Sequence, residues 1–206
     1  MENTAIHTQH VHRDDEASKI GMWLFIFTEL LFFGGLFIVY SVYRFRNPEA
    51  FHLAAQELNR TIGTINTIIL MFSSMTLTMS IGAMQRDKKK LTLLLLLLTA
   101  VLGIVFLVNK YFEWGIKIKH GLYPGSAELH ALGYGDTLFF GLYFFMTGLH
   151  ALHLIIGLVL VTVMFFFVNK GKINAGSFAQ LDNTGLYWHL VDVIWIFLFP
   201  LFYLIT

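Results

Sequence analysis

The chain of 206 residues contains no cysteine and little charge, only 13% Asp, Glu, Lys and Arg. Without cysteine it forms no disulfide and offers no thiolate nucleophile, iron–sulfur cluster or Cys-ligated copper of its own. The low charge excludes an ordinary soluble domain, in which about a quarter of residues are charged. Formal net charge is only +1, and the basic residues sit in short loops beside apolar runs, so a nucleic-acid interface is excluded too. What the chain has instead is 56% hydrophobic residues, 16% aromatic residues and a mean hydropathy of +0.66. Such a chain belongs in a bilayer.

Five apolar segments reach the roughly 20 residues that a spanning helix needs: 20–43, 61–84, 91–114, 137–168 and 186–205. Only Glu29, Lys110, Glu113 and Asp192 carry formal charge inside them, the segregation expected when a charge in hydrocarbon costs several kcal/mol. The expected fold is an all-α, polytopic bundle of five transmembrane helices, with residues 1–19 a polar tail and 20–206 a single domain. The first segment is preceded by polar residues including Asp14, Asp15 and Glu16 and is too long for a signal-peptide core, so it reads as a retained helix.

Lys and Arg in the loops set the orientation. Arg13 and Lys19, then Arg86, Lys88, Lys89 and Lys90, then Lys170 and Lys172 make 8 on one side; Arg44, Arg46, Arg60, Lys117 and Lys119 make 5 on the other. This predicts a cytoplasmic amino terminus and an external carboxyl terminus. The loops are expected to connect and do little else. The turn at 85–90 is short enough to make its flanking helices antiparallel neighbours, and its basic run reads as a headgroup anchor. The fourth segment would measure about 48 Å, beyond a core of about 30 Å, and must tilt or protrude. Small residues mark close packing: Gly34 and Gly35, Gly141, Gly148 and Ala151, and the Ser73, Ser74, Thr76, Thr78 and Ser80 cluster. Pro200 is a potential kink.

The candidate functional residues are the polar groups inside the spans. Glu29 lies about 13 to 14 Å into the first segment, near the bilayer middle, where a carboxyl group needs a partner or a proton. It reads as a proton-relay group or as a neutral acid donating one interhelical hydrogen bond. His150 and His153 share a helix face at similar depth, so a Glu29 bond to either is geometrically sensible; a metal or heme site is the alternative to packing. His189 and Asp192 stand one turn apart and can pair locally, flanked by Trp188 and Trp195 at an expected interface position. Glu113, beside Tyr111, Phe112 and Trp114, reads as the matching feature at the opposite interface.

Three segments, Gly21-Met-Trp-Leu-Phe-Ile-Phe-Thr-Glu29 through Phe37, Thr147-Gly-Leu-His150-Ala-Leu-His153 through Gly157, and Tyr187-Trp-His189-Leu-Val-Asp192-Val-Ile-Trp195, resemble subunit III of the heme-copper terminal oxidases. Asn66-Thr67 with Ser73-Ser74, and Glu113, are weaker echoes. The resemblance implies a non-redox subunit without catalytic, cofactor-binding or metal-binding residues. Heme and copper would sit in partner subunits I and II, with further small subunits or a supercomplex as wider partners. It also implies bound phospholipid, support of proton uptake and sustained oxygen reduction, and a bacterial plasma membrane. Glu29, His150, His153 and Glu113 become buried polar, proton-supporting residues; His189 and Asp192, with Trp188 and Trp195, become a structural pair; Lys19 and Arg13 become lipid-headgroup contacts. Longer members carry two further helices before the Glu-bearing one, so the long form's lipid cleft is not expected unchanged, and that face is left for another subunit. Cytochrome c is the expected electron donor. The alternatives are a quinol oxidase, a nitric-oxide-reducing relative, or an independent transporter or b-type heme protein built on the same histidines.

Overall fold

The computed structural model describes residues 2–205, with side chains from Glu16 onward. Among the described residues seven helices follow in order: α1 Glu2–Arg46, α2 Pro48–Gln56, α3 Arg60–Gln85, α4 Lys89–Lys119, α5 Ala127–Leu132, α6 Tyr134–Asn169 and α7 Ala179–Tyr203. Five are long and apolar enough to cross a membrane: residues Glu16–Arg46 of α1, then α3, α4, α6 and α7. Among the described residues there is no strand, only an isolated bridge between Asn174 and Ser177.

The helix boundaries have local causes. Pro48 opens α2 at a position where a missing N–H costs nothing. Asn59 caps α3 by accepting from the Ile62 N–H at 3.2 Å, and Ser126 caps α5 by accepting from Leu129 at 3.1 Å. Between α3 and α4 the chain reverses through Asp87 at φ 55°, a left-handed conformation that Asp tolerates better than most residues.

Helices α3, α4, α6 and α7 close a ring in which each touches the next, and α1 lies outside it against α7 and α6. Helix α7 is the axis of the fold, packed on α3, α6, α1 and α2. The apolar window of α7 is 56% buried and that of α1 only 6%. The two short helices correct the expectation that the loops merely connect. Phe51, Ala54, Ala55 and Leu129 are buried and close one end of the bundle beneath α6 and α7. Their runs are too short for a periodic pattern to reveal.

Close approach occurs at glycines other than those expected. A Cβ at Gly34, Gly35, Gly141 or Gly148 would meet nothing within 4 Å, because those positions face outward. The tight contacts centre on α7. A Cβ at Gly103 would lie 2.9 Å from Trp188 and one at Gly157 3.0 Å from it, so the indole is wedged between α4 and α6. The hydroxyl cluster on α3 does bind across helices, Thr76 Oγ1 to Thr99 Oγ1 at 2.8 Å and Ser73 to the Thr99 carbonyl at 3.4 Å. Pro200 lies within the last turns of α7, where the Tyr40 hydroxyl donates to the Leu201 carbonyl and satisfies one of the acceptors left open at a helix end.

Candidate functional site

At mid-depth, α1 and α6 meet through Glu29 and His153, whose Oε2 and Nε2 are 3.2 Å apart. The Nδ1 of His153 is 2.8 Å from the Leu149 carbonyl, an acceptor only, so Nδ1 carries a hydrogen and donates. Nε2 is then the site of exchange. Either the Glu29 carboxylic acid donates to a neutral ring, or an imidazolium donates to a carboxylate; one shared proton defines both states. Tyr187 fixes this corner by donating to the His153 carbonyl at 3.0 Å, and the Phe33 ring sits edge-on to His153. Of the two histidines within expected reach, His153 is the partner. His150 is 1% exposed, sits against Phe106 and Trp195, and neither of its nitrogens has a hydrogen bond.

The α7 motif is arranged differently from its spacing. The nitrogens of His189 go to α3 hydroxyls, Nδ1 to Ser74 at 2.6 Å and Nε2 to Thr78 at 3.2 Å, so the expected local bond to Asp192 is not made. Asp192 is buried with neither carboxyl oxygen hydrogen-bonded. The interface reading of the tryptophans is also corrected. Trp188 and Trp195 are both fully buried, and Trp195 Nε1 donates to Thr67 Oγ1 at 3.0 Å. Tertiary packing puts these rings in the core because α7 is surrounded.

Glu113 is not an interface anchor but half of an enclosed ion pair. Lys110, which sequence reasoning left without a role, places Nζ 3.1 Å from Glu113 Oε2, 3.1 Å from the Tyr143 hydroxyl and 2.8 Å from the Tyr203 hydroxyl. All three ammonium hydrogens have acceptors. The two tyrosines donate in turn to Glu113 Oε1, at 2.9 and 2.5 Å, so α4, α6 and α7 meet in one closed polar cluster. The rings of Trp114, Tyr143, Trp195 and Tyr203 lie 5.0 to 6.0 Å from the ammonium, a cation–π enclosure. One turn on, Lys117 donates to the Glu57 carbonyl. The signal that could have found the pair was the spacing of a base and an acid three apart inside one apolar run.

Lys19 pairs with Asp182 of α7 at 3.3 Å, and Asn183 donates to Ser18 at 2.8 Å, so Lys19 binds its own bundle. The Arg13 side chain lies outside the described residues. Among the described residues no three His, Asp or Glu side chains are grouped to hold a metal ion.

Comparison with known proteins gives a consistent picture. Residues 1–206 match the family described as Cytochrome c oxidase subunit III. The chain is 32% identical to the cytochrome c oxidase subunit 3 of Thermostichus vulcanus, covering 100% of this chain and 96% of that protein. It is also 32% identical to a heme-copper oxidase subunit I+III of Aeropyrum pernix, covering 97% of this chain but spanning 24% of that longer protein. A probable quinol oxidase subunit 3 of Staphylococcus aureus strain USA300 is 26% identical, covering 93% of this chain and 90% of that protein.

Proposed function

We propose a role that proceeds from one premise: this chain belongs to the cytochrome c oxidase subunit III family. It is the supporting subunit of a heme-copper terminal oxidase of a bacterial plasma membrane, packing on the catalytic subunit I and carrying no electrons itself. Heme and copper belong to the partner subunits. The observation that carries this reading is the match over the whole chain, and the natural fusion of subunits I and III in a relative supports direct packing on subunit I. Cytochrome c is favoured over quinol as the complex's donor because the relative named for cytochrome c is the more similar of the two donor-named ones, 32% against 26%.

Within that role the Glu29–His153 pair is the proton-supporting group. Its shared proton and partial exposure let it exchange protons at mid-depth, at a cost that a lone carboxyl could not meet. The exposed face of α1, with Trp23, Leu24, Phe27, Leu31 and Ile38, is covered by phospholipid or by a partner subunit. The amino-terminal end of the bundle, with its eight Lys and Arg against five, faces the cytoplasm.

The test is gentle purification from native membranes through an affinity tag, followed by a redox difference spectrum and identification of copurifying proteins. The expected result is heme absorbance with a large many-helix partner, both lost when this chain is stripped away as a colourless protein. A chain that comes away alone and retains heme would overturn the reading and make the histidines ligands. Reduction of the purified complex by cytochrome c or by quinol then identifies the donor.

A further inference from the structure

Helix α1 takes its position from α7. Lys19 pairs with Asp182, Asn183 donates to Ser18, the Phe25 ring stacks on Tyr187 at 6.0 Å, Phe37 meets Phe197 at 5.9 Å and Tyr40 meets Phe202 at 5.0 Å. These contacts advance in step along both helices, so the two lie side by side in a fixed register. Toward α6, Glu29 and Phe33 both come onto one residue, His153. How far the carboxyl group stands from the imidazole therefore depends on how α6 sits on α7.

Tyr187 is the side chain at which these constraints meet. It is buried, its ring lies nearly parallel to that of Phe25, 23° apart, and Phe25 stands one helical turn before Glu29. Its hydroxyl donates to the His153 carbonyl at 3.0 Å. In a helix that carbonyl already accepts the N–H four residues on, so the hydroxyl takes its second lone pair. Residue 157, which supplies that N–H, is a glycine. A Cβ there would lie 3.3 Å from Tyr187 Cε1, so the missing side chain lets the tyrosine ring close on α6. We propose that Tyr187 is the positioning residue of the Glu29–His153 pair, holding Oε2 and Nε2 at the separation over which one proton is shared, with Phe25 passing that hold to α1.

The separation leaves little slack. At 3.2 Å the pair stands at the long end of the range, about 2.6–3.2 Å, over which a proton passes directly between two groups. A shift of a few tenths of an ångström is enough to interrupt the transfer. Tyr187 touches neither proton-bearing atom; it acts through the backbone of His153 on one side and the ring of Phe25 on the other. Its neighbours in the α7 motif are turned elsewhere, Trp188 to Gly103 and Gly157 and His189 to the α3 hydroxyls. The effect of Tyr187 on proton uptake rests on the reading of Glu29–His153 as the proton-supporting pair, whereas its effect on the geometry of the pair does not.

The test is infrared spectroscopy of the intact complex, following the carboxyl signal that Glu29→Gln removes. Tyr187→Phe keeps the ring on Phe25 and beside Gly157 and loses only the hydroxyl. It should shift that signal and slow proton uptake about two- to tenfold, the ratio that one neutral hydrogen bond supports. Phe25→Leu, which leaves the hydroxyl in place and removes the stacking on α1, should shift the signal too. Tyr40→Phe is the control for general loosening: it cuts another tyrosine–carbonyl bond between α1 and α7, at their far ends, and should leave the signal where it is. A signal unchanged in Tyr187→Phe, or shifted equally by Tyr40→Phe, would overturn the proposal. Undiminished proton uptake in Glu29→Gln would instead remove the proton-supporting reading, with the carboxyl signal still deciding the role of Tyr187.

Discussion

Removing one member of the Lys110–Glu113 pair should destabilise the bundle far more than removing both. In Glu113→Leu the ammonium keeps only the two neutral tyrosine hydroxyls, and both hydroxyls lose their carboxylate acceptor. An uncompensated charge in a site that is 2% exposed for Lys110 costs about 3–5 kcal/mol when its partner is deleted. Lys110→Met combined with Glu113→Leu removes the charge, and Tyr143 and Tyr203, whose oxygens are 3.3 Å apart, can then bond to each other. The double variant should lose only about 1–2 kcal/mol, the cost of one poorly satisfied hydroxyl. Reversible unfolding in mixed micelles across the four members of the cycle measures this, and the coupling energy is the excess over additivity. A loss below about 1 kcal/mol in Glu113→Leu, or an additive double variant, would refute the view of this cluster as a closed, fully satisfied ion pair.

Glu29→Gln keeps a donor and an acceptor against His153 Nε2 but removes the shared proton, so assembly and initial oxygen reduction should stay near wild type while proton uptake slows and catalytic life shortens; immediate, complete loss of turnover in an assembled complex would contradict a supporting role. Gly103→Val should destabilise by roughly 1–3 kcal/mol through overpacking against Trp188, whereas Gly34→Ala should change the isolated subunit's stability by no more than about 0.5 kcal/mol; equal effects in thermal melts would show that the two positions are not packed as described. Asp182→Asn should cost about 0.2–1 kcal/mol at low salt and less at high salt, because the bond to Lys19 is half exposed; a salt-independent loss would point to a different partner.

Each of the five spans was legible in residue order, because hydrocarbon excludes charge and twenty apolar residues leave little choice of structure. Glu29 and a histidine partner were legible for the same reason: each is a polar group at a depth where it must find another. The Lys110–Glu113 spacing was visible but Tyr143 and Tyr203 were not, since they arrive from α6 and α7, far along the chain. The His189–Asp192 expectation followed local spacing and missed the α3 hydroxyls that compete for the imidazole. Helices α2 and α5 were missed because nine and six residues carry too few turns to declare a buried face.

By itself, the sequence determined that this is a multi-pass helical membrane protein of the subunit III family, with its polar chemistry confined to a few intramembrane side chains. Such properties depend on composition, span length and motif order, all of which are local. The tertiary structure alone decided which glycines receive a neighbour, which histidine meets Glu29, and where the His189 ring finds its hydroxyls. Those outcomes depend on the rotation of each helix about its axis. That rotation is fixed by packing around α7, where side chains from α1, α3, α4 and α6 converge and lipid offers no competing hydrogen bonds.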